Sequence, residues 1–272
     1  CSSDLSDLDV AGIEVVRELE RQGVPFTGAT AAFYDPSRAE MKAACQRVGI
    51  AVPASVTIGG FGELRRAESL RFPLIVKHPQ SYGSIGLTPA SKVRTPAALH
   101  QQAERMLQRF HGALIEEFIE GRELSVLVVE ALDDGPPRSY RSVEYLFQDR
   151  DADFRYLDLK FGASESDLRA ACADDELDAR ARSLAERLFA TMQGTGYARC
   201  DMRVAPSGEI YLLEINPNCG ILGAAGHCSA DLAVESTAGS GGRRGFLEHL
   251  LRCAAKRGTA VRPGPAGSSA QL

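Results

Sequence analysis

Arg199, Asp201, Glu214 and Asn216 are spaced so that one β-hairpin would gather their side chains. Residues 199–204 and 209–216 flank Pro206-Ser207-Gly208-Glu209, which has the composition of a turn. An even-length loop centred there sets Asp201 across from Glu214 and Arg199 across from Asn216. Directly opposed Cβ atoms lie about 4.5–5.5 Å apart, and like charges so placed destabilise a sheet. The two carboxylates therefore call for a cation between them. An oxygen-only set of Asp201, Glu214 and Asn216 is what Mg2+ takes, with Mn2+ as the alternative. Arg199 shares their face and could offset charge developing on a transferring phosphoryl group. The plainer alternative is an exposed hairpin face decorated with charges.

A second group lies upstream. An apolar run ends in Lys77, and the small residues Gly83-Ser84-Ile85-Gly86 follow. Glycines let backbone N–H groups approach phosphate oxygens, and a lysine adds a point charge. The spacing is neither a Walker A motif, since Gly-Lys-Ser/Thr is absent, nor GxGxxG. A surface turn has the same composition. Further on comes Ile115-Glu116-Glu117-Phe118-Ile119-Glu120-Gly121-Arg122-Glu123. A strand that stops against a purine can offer backbone C=O and N–H to the base edge, while a carboxylate accepts from ribose hydroxyls. An acidic β-turn is the alternative. In this order, and ending in the carboxylate hairpin, the three signals together point to ATP.

These residues need elements to hold them. Residues 8–22 place Val15, Val16 and Leu19 at helical spacing, stopped by Gly23-Val24-Pro25. A second helix starts at Asp35-Pro36, with Pro36 in its first turn and a stripe of Met41, Ala44, Cys45 and Val48. Thr95-Pro96 caps a third, whose stripe is Leu99, Ala103, Met106, Leu107 and Phe110. Residues 175–193 form a long helix with Leu177, Ala181, Leu184, Leu188 and Met192 inward, and shorter helices lie near Asp231 and over 246–256. Strands are predicted at 73–77, 113–118, 123–131, 139–147, 197–204 and 209–215. Helices mixed with hairpin-linked strands predict an α+β fold of sandwiched layers rather than a regular parallel βαβ sheet.

The 272 residues suit one large domain or two smaller ones, and 44% hydrophobic with 25% charged residues is the make-up of a soluble globular chain. A net charge of −5, with no basic stripe carrying interleaved aromatics, argues against a nucleic-acid partner. The longest apolar run, residues 124–132, is broken by Ser125 and Glu130 and is too short to span a membrane. Seven cysteines form no CxxC pair and are odd in number. That speaks against a disulfide framework or a zinc site and for a reducing, cytoplasmic setting. The opening Cys1-Ser2-Ser3-Asp4 reads as a fragment or a processed chain.

With these motifs in place, the chain resembles the D-alanine–D-alanine ligase-type ATP-grasp family over residues 23–220. The resemblance implies two α+β subdomains clasping ATP: residues 31–260, divided into a smaller ATP-binding part (31–120) and a larger catalytic part (121–260). Residues 1–30 would be the remnant of an N-terminal lobe, and 261–272 a disordered Pro/Gly/Ser-rich tail. The family's first basic phosphate contact falls on Arg38, with Lys42 nearby; Lys77 reaches the phosphates, and the flexible loop over them is 83–86. Glu116, Glu117 and Ile119 match the adenine hinge, Glu123 the ribose contact and Lys160 a further phosphate lysine. Arg199 matches the arginine at the acyl-phosphate centre, and Asp201, Glu214 and Asn216 the magnesium ligands. The implied reaction makes an acyl phosphate from ATP and an amino-acid-like acid, then an amide with an amine. Dimers are common among relatives, so a homodimer is one implied assembly.

Two departures bear on the substrates. Most of the family's N-terminal lobe has no counterpart here. Where D-alanine ligases read Asn-x-Ser/Thr-Pro-Gly, this chain has Asn216-Pro217-Asn218-Cys219-Gly220, so Asn218 and Gly220 mark an acceptor side of altered chemistry. Cys219 and His227 lack a third partner at nucleophile–base spacing and read as pocket lining. His100, His111 and His249 are expected to face solvent. Asp174-Asp175-Glu176 reads as an acidic helix start. Two other outcomes are open: a non-catalytic nucleotide-binding module, or an ATP-grasp carboxylase or kinase.

Overall fold

A computed structural model describes residues 12–79, 85–133, 135–147, 154, 169–223 and 228–260. Two antiparallel sheets organise them. The smaller has strand order β1 (Ser55–Ile58), β4 (Ala113–Glu117), β2 (Leu74–Lys77) and β3 (Lys92–Val93). The larger runs β10 (Ile210–Pro217), β9 (Tyr197–Val204), β5 (Arg122–Val129), β7 (Val143–Tyr145) and β8 (Arg169–Ala171), with β6 (Arg138–Ser139) also paired to β5. The α+β expectation holds.

Three helices carry a side-chain cap at their start. In α2 (Arg38–Arg47), Ser37 Oγ accepts from Glu40 N while Glu40 Oε2 accepts from Ser37 N at 2.8 Å, a reciprocal capping box. Pro36 thus precedes the cap, and the helix begins later than its proline suggests. In α3 (Pro96–Phe110), Thr95 Oγ1 caps Ala98 N, and His111 closes the helix at φ 55°. In α4 (Asp175–Thr191), Asp174 Oδ1 accepts from Leu177 N at 3.0 Å. Helix α1 (Ile13–Arg21) buries no residue, α5 spans Ser229–Ser236, and α6 (Gly242–Ala260) extends beyond its expected ends.

The single strand expected over 139–147 is two pieces. β6 and β7 pair with β5 in registers offset by one residue, and Arg141 and Ser142 between them bond elsewhere. Ser142 N and Oγ donate to the buried Asp178 carboxylate at 2.7 Å, and Arg141 N donates to Thr237 Oγ1 at 2.7 Å. His249 is not turned to solvent either, since its Nε2 lies 2.8 Å from Glu130 O.

The larger sheet has a dry face and a functional face. On the dry face, Leu124, Val126 and Val128 join Ala198, Cys200, Met202, Val204, Ile210, Leu212 and Ile215 under α4. Helix α2 packs there too, through Met41, Ala44 and Cys45, although sequence order groups it with the smaller subdomain. The other face carries a second cluster under α5 and α6 around Leu127, Val143 and Phe246. The smaller sheet packs on α3 through Ile58, Leu74, Val76, Leu99, Ala103 and Met106. Among the described residues, no helix is long and apolar enough to cross a membrane.

Phe189, fully buried and edge-on to Phe33 at 5.2 Å, joins α4 to the segment before α2. Phe189→Ala is expected to cost about 3–5 kcal/mol, read as a lower urea midpoint. A midpoint equal to wild type would show that this core closes without the ring.

Candidate active site

The hairpin β9–β10 sets the site. Next to its turn Val204 pairs with Ile210, so the loop has an odd number of residues and the even-loop expectation fails there. A β-bulge between Leu212 and Glu214 then shifts the register, and Glu214 pairs with Asp201 and Asn216 with Arg199, as expected from the sequence. Strict alternation from Ile210 and Leu212 would have sent Glu214 into the dry core beside Cys200. The extra residue, Leu213, turns it to the functional face instead.

The four side chains meet there. Arg199 grips Asp201 bidentately, Nε to Oδ1 and Nη2 to Oδ2, both at 2.7 Å. Asn216 Nδ2 donates to Asp201 Oδ2 at 3.2 Å and to Glu214 Oε1 at 2.9 Å. Arg38 Nη2 approaches Glu214 Oε2 at 3.6 Å. The cation called for by the opposed carboxylates is thus supplied in part by guanidinium groups, a provision the sequence reading assigned to a metal alone. Burial would lower the Arg199 pKa, but the charge and hydrogen bonds of Asp201 outweigh it and raise it. Asp201, Glu214 and Asn216 still form the oxygen-rich donor set that a hard divalent ion takes, once the Asn216 amide turns its oxygen inward. Among the described residues no three His, Cys, Asp or Glu side chains cluster at metal distance, so Asn216 is needed to complete a set of three.

Across the cleft stands the smaller sheet. Glu116, 2% exposed on β4, accepts from Lys77 Nζ at 2.6 Å and faces Lys42 Nζ at 3.4 Å. Burial pushes its carboxyl up, but Lys77, then Lys42, and also Arg38 outweigh that and hold it below its ordinary value. Glu116 is therefore placed to hold two lysines. Glu117 bonds Arg71 N at 2.9 Å and Nη2 at 3.0 Å. A single cleft is bordered by Arg38, Lys77, Glu116, Glu117, Ile119, Glu123, Asp201 and Glu214, which brings most of the predicted residues together.

Other predicted residues sit elsewhere. Asn218, at φ 52°, uses Oδ1 to accept from Ala29 N at 3.0 Å, tying the N-terminal segment to the end of β10. Gly220 is exposed, and neither residue borders the cleft. Gly83, Ser84, Lys160 and His227 lie outside the described residues. Cys219 is buried, and that burial pushes its thiol up to about 12, which leaves it unreactive. Arg203, Phe118, Phe154, Ile75, Leu87 and Leu213 also border the cleft. Arg203 could have been found two residues after Asp201 on the same strand face; the apolar wall needs the pairing of distant strands.

The family model described as D-ala D-ala ligase C-terminus matches residues 46–227. A D-alanine–D-alanine ligase of Bifidobacterium animalis subsp. lactis is 29% identical over 229 residues, covering 74% of this chain and 59% of the relative. The uncharacterized protein y4sG of Sinorhizobium fredii is 28% identical over 212 residues, covering 75% and 60%. The chain thus spans about three fifths of the length of these curated relatives. The D-alanine-D-alanine ligase structure from Coxiella burnetii superposes with TM-score 0.67 at 18% identity, covering 90% of this chain and 64% of that one.

A carboxyl held below its ordinary value stabilises the fold above about pH 4.3, and that contribution fades as pH falls through the folded-state pKa. Glu116→Gln is therefore expected to be less stable than wild type at pH 7, with the gap closing under acid. Urea unfolding at a series of pH values checks it, and a gap independent of pH would contradict it.

Proposed function

The chain belongs to the D-alanine–D-alanine ligase C-terminal family, and from that premise we propose that it is the ATP-binding and catalytic part of a carboxylate–amine ligase. The observation that carries the reading is the bulged hairpin that sets Glu214 and Asn216 beside Asp201 and Arg199, across one cleft from Lys77. Lys77 and Arg38 line that cleft as fixed positive charges for the triphosphate. Arg199, held in a planar fork by the cleft residue Asp201, would offset the negative charge that grows as a carboxylate attacks the γ-phosphate. Asp201, Glu214 and Asn216 would hold a magnesium ion, which when bound screens the triphosphate. An amine then displaces phosphate from the acyl phosphate and forms the amide.

The substrates are an amino-acid-like acid and amine, and the setting is cytoplasmic. Catalysis in such a site is mostly alignment and charge stabilisation. The apolar wall of Ile75, Leu87, Phe118 and Phe154 suits a base, and the charged end suits the phosphates.

ADP release measured with candidate acids and amines, singly and paired, tests the reading. Release that needs both an acid and an amine supports it. Binding without turnover would mark a nucleotide-binding module, and turnover with the acid alone a kinase or carboxylase. Glu214→Ala is expected to lower turnover by about 100-fold or more with an unchanged circular dichroism spectrum; near-normal turnover would remove the metal assignment.

A further inference from the structure

Arg203 is buried at 2% exposure and borders the cleft, two residues from Asp201 on the same face of β9. That spacing is about 6.5–7 Å along a strand. Its guanidinium is fixed on three sides. Nη1 donates to Glu123 Oε2 at 3.0 Å, Nη2 donates to Gly121 O at 2.9 Å, and the Phe118 ring centroid lies 4.5 Å away. Glu123 is itself buried and stands directly across from Arg203 in the β5–β9 register. Gly121 permits the arrangement. It has φ 124°, and a Cβ there would meet Val204 O at 2.1 Å.

The cleft carries an apolar wall of Ile75, Leu87, Phe118 and Phe154 and the charged side chains Lys77, Asp201 and Glu214. The Glu123–Arg203 pair joins the two sets, since Arg203 lies over the Phe118 ring and two residues from Asp201 on β9. In a nucleoside triphosphate the sugar likewise joins an apolar base to charged phosphates. A carboxylate with one oxygen held by a fixed guanidinium has its orientation set by that guanidinium. Arg203 supplies the hold in a geometry too constrained to swing away.

Resting on the nucleotide reading above, we infer that Arg203 is a positioning residue for nucleoside recognition, holding Glu123 as an oriented acceptor for ribose hydroxyls. Arg203 acts through Glu123, so removing it changes what the cleft discriminates as well as how tightly it binds.

Calorimetric titration of the full chain with ATP, 2′-deoxyATP and 3′-deoxyATP, magnesium present throughout, tests this. Wild type is expected to prefer ATP over at least one deoxy analogue by about tenfold. Arg203→Met is expected to bring that ratio to within about twofold, and Glu123→Gln to do the same. Arg203→Lys, which keeps the charge and loses the fork, is expected to fall between wild type and Arg203→Met. Equal weakening of ATP and its deoxy analogues by Arg203→Met, with the wild-type ratio kept, would overturn the inference. So would a wild type indifferent to both hydroxyls. Should Arg203→Met fail to fold by circular dichroism, the ratios of Glu123→Gln and Arg203→Lys decide in the same way. A wild type that binds no adenine nucleotide would instead overturn the ligase reading itself, and the inference with it.

Discussion

Two acidic side chains forced to face each other on one β-ribbon set the conditions for the rest of the site. Asp201 and Glu214 are neighbours in register, and Asp201 is almost wholly buried. Such a pair persists only where positive charge and hydrogen-bond donors converge on it. The fold delivers them from several elements: Arg199 from the same strand, Asn216 from the partner strand and Arg38 from the start of α2. The position of α2 follows from this. Its apolar residues pack on the dry face of the larger sheet while Arg38 reaches the acidic pair.

A parallel economy governs the smaller sheet. Glu116 borders the cleft with Lys77 and Lys42 around it, and both lysines are held by this one buried carboxylate. The Glu123–Arg203 pair repeats the pattern beside Phe118. Three buried acid–base groups thus line a single cleft, each contributing little net stability and much definition of geometry. A site of this kind is preorganised, as the proposed phosphoryl chemistry requires.

What could be read from the sequence follows the range of the interactions. Helix starts were visible where the signal is local, as at Thr95 and Asp174, and misjudged at Pro36, where Ser37 and Glu40 form a capping box beyond it. An even-length loop and the real odd-length loop followed by a bulge at Leu213 bring Asp201 and Glu214 to the same facing, so the sequence shows the pair but not the route to it. A bulge leaves no clear mark in a run such as Tyr-Leu-Leu-Glu. The break at residues 140–142 escaped notice because its cause, Asp178, lies on another element. Arg203 and the inward turn of Glu116 depend on pairing between strands far apart in the chain, which alternation within one strand does not reveal.

The proposed ligase chemistry requires a divalent ion and nucleotide phosphates to meet at Asp201, Glu214 and Asn216. Titrating Mn2+ into isotope-labelled protein in the presence of ADP tests this most directly, through paramagnetic broadening of assigned backbone amide signals. The amides of these three residues and of Arg199 should broaden first and disappear, with those of the α4 core unaffected at the same ratio. Broadening centred on another part of the chain, or the same broadening in Glu214→Ala, would contradict it.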